Sequence, residues 1–195
     1  SGAKDPTPRV STTDPDARVM KMPDGGFRPA FHVQFATTTD AARAIVGVAV
    51  INRGSDQGQT TPMLEQIEAR IGVRPREVLV DGGYANHDAI DEATAAGVTI
   101  YAPLPKPRAG QITPPLDPHL PRPDDSEAVA AWRARMGTDE AKQRYKLRAA
   151  TAETVNADGK AHRGLAATPL RGIEKVTSAA CLFALTYNIL RLLAL

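Results

Sequence analysis

A chain of 195 residues with 42% apolar residues is long enough for one globular domain, and an aromatic share of only 5% leaves its core to aliphatic and alanine packing. Its single cysteine excludes a disulfide framework and makes a cytoplasmic setting the default expectation. The net charge of +2 says little by itself, but residues 141–195 hold nine Lys or Arg against three acids, a basic C-terminal third suited to phosphate contact.

Residues 1–26 read as an irregular arm rich in Pro, Ser, Thr, Asp and Gly, closed by the turn signal Asp24-Gly25-Gly26 and lacking the apolar stretch of a signal peptide. Residues 27–102 form the expected α/β core. Phe31–Thr37 alternates apolar and polar side chains, and Ala44–Ile51 is a nearly continuous apolar run, so both are predicted strands, joined closely enough for a hairpin. Thr61–Ile71 is a predicted helix with Met63, Leu64, Ile67 and Ile71 on one face and Pro62 in its first turn. Val78–Val80 is a short strand ending in Asp81-Gly82-Gly83, Asp88–Ala96 a helix closed by Gly97, and Val98–Ala102 another strand. The order β-β-α-β-α-β predicts a mixed sheet with helices packed on it.

Residues 103–137 combine a proline-rich insertion with a short helix. Eight of the sixteen prolines fall between 103 and 125, which excludes a helix or a central strand there. Ser126–Met136 is a helix with Ser126 as N-cap and Trp132 inside it. Residues 138–195 are expected to be helical: a long helix over Thr138–Ala157, capped by Thr138, and a final one over Thr177–Leu193. The apolar stretch Ala179–Leu195 contains Asn188 and Arg191 and is short for a membrane span, so it reads as a packed amphipathic helix without a membrane role. Cys181, inside that stretch, is expected to be a small core residue.

Asp81 is the first candidate for chemistry. It ends a buried strand, where ligands of open α/β sheets gather, and two glycines after it admit a metal or a phosphate. A turn aspartate would look the same. Glu153 lies on the long helix with Ala149, Asn156, Ala157 and Lys160 on its face, and a surface glutamate is the simpler alternative. Two carboxylates meeting a phosphate suggest metal-assisted phosphodiester chemistry, with Mg²⁺ or Mn²⁺ held by oxygen ligands. The histidines are scattered, no zinc spacing occurs, and no P-loop, G-x-G-x-x-G or G-x-S-x-G is present.

The stretches TTDPDARVMK (12–21), GGFRPAFHVQ (25–34), VLVDGGY (78–84), YKLRAATAETVNADGK (145–160), RGIEKV (171–176) and ALTYNILRLL (184–193) resemble, in order, the C-terminal half of DDE transposases of bacterial insertion sequences. The resemblance implies a ribonuclease-H-like mixed sheet with helices on both faces. Of that sheet the first strand, which in the resembled family bears the first catalytic aspartate, is expected to be missing from this chain. Asp14 and Asp16 lie in a proline-containing loop and Asp40 in a hairpin turn, so a nuclease completing its triad with Asp14 or Asp16 is a weaker reading.

The same resemblance makes Asp81 and Glu153 the second and third catalytic acids and metal ligands of a two-metal site. It makes Tyr145, Arg148 and Lys160 contacts to DNA phosphates. The Tyr–Arg and Glu–Lys spacings match the related pattern, whereas four residues rather than three separate Arg148 from Glu153. The implied function is metal-dependent DNA cleavage and strand transfer in a bacterial cytoplasm, with DNA as partner. The alternative is an inactive remnant that only binds DNA or dimerises, since free sheet edges invite pairing with another copy. Trp132 is expected to anchor its helix on the core rather than stack on an unpaired base.

Overall fold

The computed structural model describes residues 11–22, 24–105 and 117–194. The first ten residues of the arm and the central part of the proline-rich insertion lie outside the described residues. The elements run β1 (Arg18–Lys21), β2 (Phe27–Ala30), β3 (His32–Thr37), β4 (Ile45–Ile51), α1 (Thr60–Ile71), β5 (Glu77–Leu79), α2 (His87–Ala95), β6 (Thr99–Tyr101), α3 (Glu127–Gly137), α4 (Asp139–Arg148), a π-helical turn (Ala149–Glu153), α5 (Thr154–His162) and α6 (Ile173–Leu193). This is a mixed α/β chain. From β3 onward it follows the predicted β-β-α-β-α-β order, and its described strands pair two by two: β1 with β2, β3 with β4, β5 with β6.

Contacts divide the chain into two units, Ser1–Ser55 with Thr154–Leu195, and Asp56–Glu153. In the first unit, residues 18–21 correct the expectation of an irregular arm: they pair antiparallel with β2, Arg18 opposite Ala30 and Lys21 opposite Phe27. The Asp-Gly-Gly signal is the turn of this hairpin, with the Met22 N–H bonded to the Gly26 carbonyl at 2.8 Å and Gly25 at φ 83°. The strand was illegible because four residues with two apolar side chains carry too little periodicity to register. β3 and β4 form the expected antiparallel hairpin, His32 opposite Ile51.

α6 packs on that hairpin through Ala180, Phe183 and Ala184, which with Ile45, Val48 and Val155 make the core of the first unit, and it also buries Val176. Phe183 stands 5.2 Å from the ring of Phe35. Asn188 pairs both ways with the backbone of Ile45, accepting its N–H at 2.7 Å and donating to its carbonyl at 2.8 Å, and Arg191 donates to the carbonyls of Ala41 and Ala42. α6 is long and apolar enough to cross a membrane, and opposite its packed side it exposes Leu182, Leu185, Ile189 and Leu192. Cys181 is exposed, which corrects its expected place in the core. A helix apolar on all sides gives no phase from which to read its buried stripe.

Asp14 and Asp16 are engaged at the start of α6. Their carboxylates accept the N–H groups of Gly172 and Ile173, both at 3.1 Å, and so replace the N-cap side chain that Gly172 lacks.

The second unit holds β5 and β6 in parallel, with Val78 opposite Ile100. Its core joins Leu64 of α1, Ile90 and Ala93 of α2, Ile100 of β6, and Val129, Trp132 and Met136 of α3. α1 starts one residue before its predicted beginning and buries Leu64 and Ile67, while Ile71 at its end is exposed. Asn86, Ser126 and Thr138 cap α2, α3 and α4, each accepting an N–H three residues on. The long helix expected over 138–157 is instead broken by the π-helical turn and continues to His162.

Candidate functional site

β5 ends at Leu79, the Val80 N–H continues its ladder to the Tyr101 carbonyl at 3.0 Å, and Asp81 follows at the carboxyl end of the parallel pair. The chain then turns, with the Tyr84 N–H on the Asp81 carbonyl at 3.2 Å. Asp81 Oδ1 accepts the Gly83 N–H at 2.9 Å, which fixes the carboxylate over its own turn, and its side chain stays 43% exposed. A group so placed is anchored yet open to a ligand.

Glu153 ends the π-helical turn. Five residues from Arg148, it would lie roughly 140° away around an α-helix of 3.6 residues per turn. A π-helical turn closes i→i+5 bonds and stacks residues five apart. Arg148 therefore donates to Glu153 Oε1 at 2.9 Å, and through its other nitrogen it reaches Asp81 Oδ2 at 3.5 Å. The extra residue between Arg148 and Glu153 is absorbed by this turn. Thr151, buried inside it, donates its hydroxyl to the Leu147 carbonyl at 2.9 Å.

Asp81, Arg148 and Glu153 thus come together, two carboxylates on one guanidinium. Tyr145 completes the group from α4, packed against the core of the unit. Burial raises the pKa of its phenol, the carboxylates of Asp81 and Glu153 add to the rise, and the neighbouring Arg148 opposes it. The phenol is a neutral donor at neutral pH. Lys160, the fifth candidate, is exposed on α5 in the other unit. Arg144 is paired with Glu77 of β5 at 2.7 Å and Lys142 with Asp139 at 3.2 Å, and both are exposed along α4 with Lys146.

One residue of this site carried no sequence signal. Asp56 stands in a polar loop before α1, and its carboxylate hydrogen bonds to the Tyr84 phenol, whose pKa is raised first by burial and then by Asp56 and Asp81. A Cβ on Gly83 would lie 3.2 Å from both Asp56 Oδ2 and Asp81 Oδ1, so a side chain there requires the two flanking carboxylates to give by a few tenths of an ångström. At Gly82 the nearest groups are atoms of Pro103 at 3.8 Å, an ordinary contact. Neither glycine has a positive φ. Gly83→Ala is accordingly expected to lower stability by about 1 kcal/mol in urea unfolding, while Gly82→Ala stays within about 0.5 kcal/mol of the parent. Equal effects at the two positions would mean that the carboxylates give way freely.

Trp132, the other candidate for nucleic-acid contact, is only 1% exposed and donates its indole N–H to the Ala102 carbonyl at 3.2 Å. It anchors α3, as expected. Among the described residues no three His, Cys, Asp or Glu side chains converge closely enough to hold a metal by themselves.

Residues 119–193 match the family model of the transposase DDE domain. The matched stretch contains Tyr145, Arg148, Glu153 and Lys160, and Asp81 lies before it. No curated protein and no solved structure matches the chain.

Proposed function

We propose, from its kinship with the DDE transposases, that this chain is part of a transposase catalytic domain that binds DNA and cuts and rejoins its phosphodiester backbone with a divalent metal. The observation that carries the proposal is the convergence of Asp81 and Glu153 on a single cation, the guanidinium of Arg148. Two carboxylates that already share a positive charge are a fitting pair for Mg²⁺ or Mn²⁺, whose preferred ligands are hard oxygens. In this reading Asp81 and Glu153 would hold the metal. A divalent metal held there would supply the Lewis-acid chemistry of phosphodiester cleavage, for the attacking oxygen and for the leaving one.

The remaining work falls to the chain's own side chains. Arg148 balances the charge of the two acids, and once they are engaged its fork of donors is free to take a DNA phosphate oxygen. The Tyr145 phenol, kept protonated, donates a hydrogen bond beside it. Lys142, Lys146 and Lys160 supply positive charge for the DNA backbone. In the proposed ribonuclease-H-like arrangement, β3 to β6 are core strands two to five, and the free edges of these two-stranded sheets are where a first strand or a second copy would pair. The setting is the cytoplasm of a bacterium, where the DNA lies.

Titration with Mn²⁺ by calorimetry tests the reading. The parent chain is expected to bind, and Asp81→Asn and Glu153→Gln each to lose at least about tenfold in affinity. Binding that survives in both variants would place the metal elsewhere. No binding by the parent would make this chain an inert portion of a site, able at most to bind DNA or dimerise.

A further inference from the structure

We infer that Asp56 is a positioning residue for Asp81, acting through Tyr84 and the turn between them; the inference rests on the reading of Asp81 as a metal ligand and extends it. Tyr84 is held at both ends from the entry to α1. The Thr60 hydroxyl donates to its backbone carbonyl at 3.4 Å, and Asp56 accepts the bond from its phenol. Thr60 is buried at the start of α1, and the Gln59 N–H is bonded to the Asp56 carbonyl at 3.2 Å, so the clamp is part of a packed helix end. The opposite side of the turn is Asp81, bonded through its Oδ1 to the Gly83 N–H and through its carbonyl to the Tyr84 N–H.

Gly83 is the point where the two halves meet, with Asp56 Oδ2 and Asp81 Oδ1 each 3.2 Å from the place its Cβ would take. Asp81 follows a strand of only three residues, and the bond that fixes its carboxylate comes from the Gly83 N–H, so its direction depends on the turn that Tyr84 closes. The hold of Asp56 and Thr60 on Tyr84 steadies that turn. What Asp56 contributes is an acceptor for the phenol, a role that an amide oxygen can fill as well as a carboxylate. Groups that orient a metal ligand in this way typically change metal affinity by roughly 10- to 100-fold when removed.

The test uses the full chain and two readouts. In a ¹H–¹⁵N spectrum the Gly83 amide, donating to a carboxylate, is expected downfield. Asp56→Ala and Tyr84→Phe should both move it upfield, and Asp56→Asn should leave it near the parent position. In Mn²⁺ calorimetry Asp56→Ala is expected to weaken binding by about tenfold, with Asp56→Asn within about threefold of the parent. An unmoved Gly83 amide and unchanged Mn²⁺ affinity in Asp56→Ala would overturn the inference. So would loss of Mn²⁺ in Asp56→Asn as complete as in Asp81→Asn with the amide unmoved, because Asp56 would then be a ligand itself. If the parent binds no Mn²⁺ while the amide shifts as expected, the positioning of Asp81 stands and the metal reading fails.

Discussion

Trp132→Ala is expected to destabilise the unit of residues 56–153 by about 3–5 kcal/mol, the range for removing a buried large aromatic. The indole is buried in one cluster with Ile90, Ile100, Val129 and Met136. Its N–H also satisfies the Ala102 carbonyl just beyond β6. Trp132→Phe keeps most of the packing and strands that carbonyl, so about 1–2 kcal/mol is expected. Urea unfolding followed by circular dichroism measures both. In the parent chain the same transition can be followed by fluorescence, because Trp132 is the only tryptophan. A loss below about 1 kcal/mol for the alanine variant would mean that α3 is not anchored by this ring, and base stacking would return as its role.

The second large effect comes from the ion pair behind that helix. Arg133 binds Asp125 with two nitrogens, at 2.6 and 3.3 Å, and its third reaches the Pro118 carbonyl at 3.3 Å; the two side chains are 4% and 2% exposed. Removing the acid leaves a guanidinium buried without its counter-charge, and Asp125→Ala is expected to cost about 3 kcal/mol at neutral pH. Removing both charges in Asp125→Leu/Arg133→Met should cost less than the single change, since no charge is then left unpaired.

The bond from Arg133, with the Arg122 N–H assisting, holds the Asp125 carboxyl below the usual carboxylate range. A depressed folded pKa gives stability that is complete above the unfolded value, near about 3.9, and is lost as the pH falls through the folded value. The parent should therefore lose its advantage over Asp125→Ala only below about pH 4. An advantage that faded between pH 6 and pH 5, readings taken at about those values, would assign the effect to another group.

Much of the framework could be read from residue order alone because local signals agreed with tertiary ones. Ser126 and Thr138 are capping types at helix starts, the apolar run 44–51 contains a strand, and Asp81 stands out as an acid closing a short apolar strand before two glycines. Asp56 did not stand out, because its neighbours Ser55, Gln57 and Gly58 describe a polar loop and its partner Tyr84 is distant in sequence. The π-helical turn had one trace, the extra residue between Arg148 and Glu153. Alanine, threonine and glutamate do not otherwise distinguish an i→i+5 turn from an ordinary helix. The exposed side of α6 was hidden for the opposite reason, since Leu and Ile occur all round that helix.

The unit that carries the carboxylates is one unbroken stretch of chain, whereas the other is assembled from its two ends. Asp14 meets Gly172 across 158 residues and Ile45 meets Asn188 across 143. On a ribosome the continuous unit has all of its sequence before the final helix exists, and it can settle while β3 and β4 still lack their cover. The split unit closes last, and its closure entropy falls if the intervening stretch has already compacted. The order of synthesis thus gives Asp81 and Glu153 a folded surrounding first and leaves the β3–β4 hairpin, with its apolar face, as the late and aggregation-prone step.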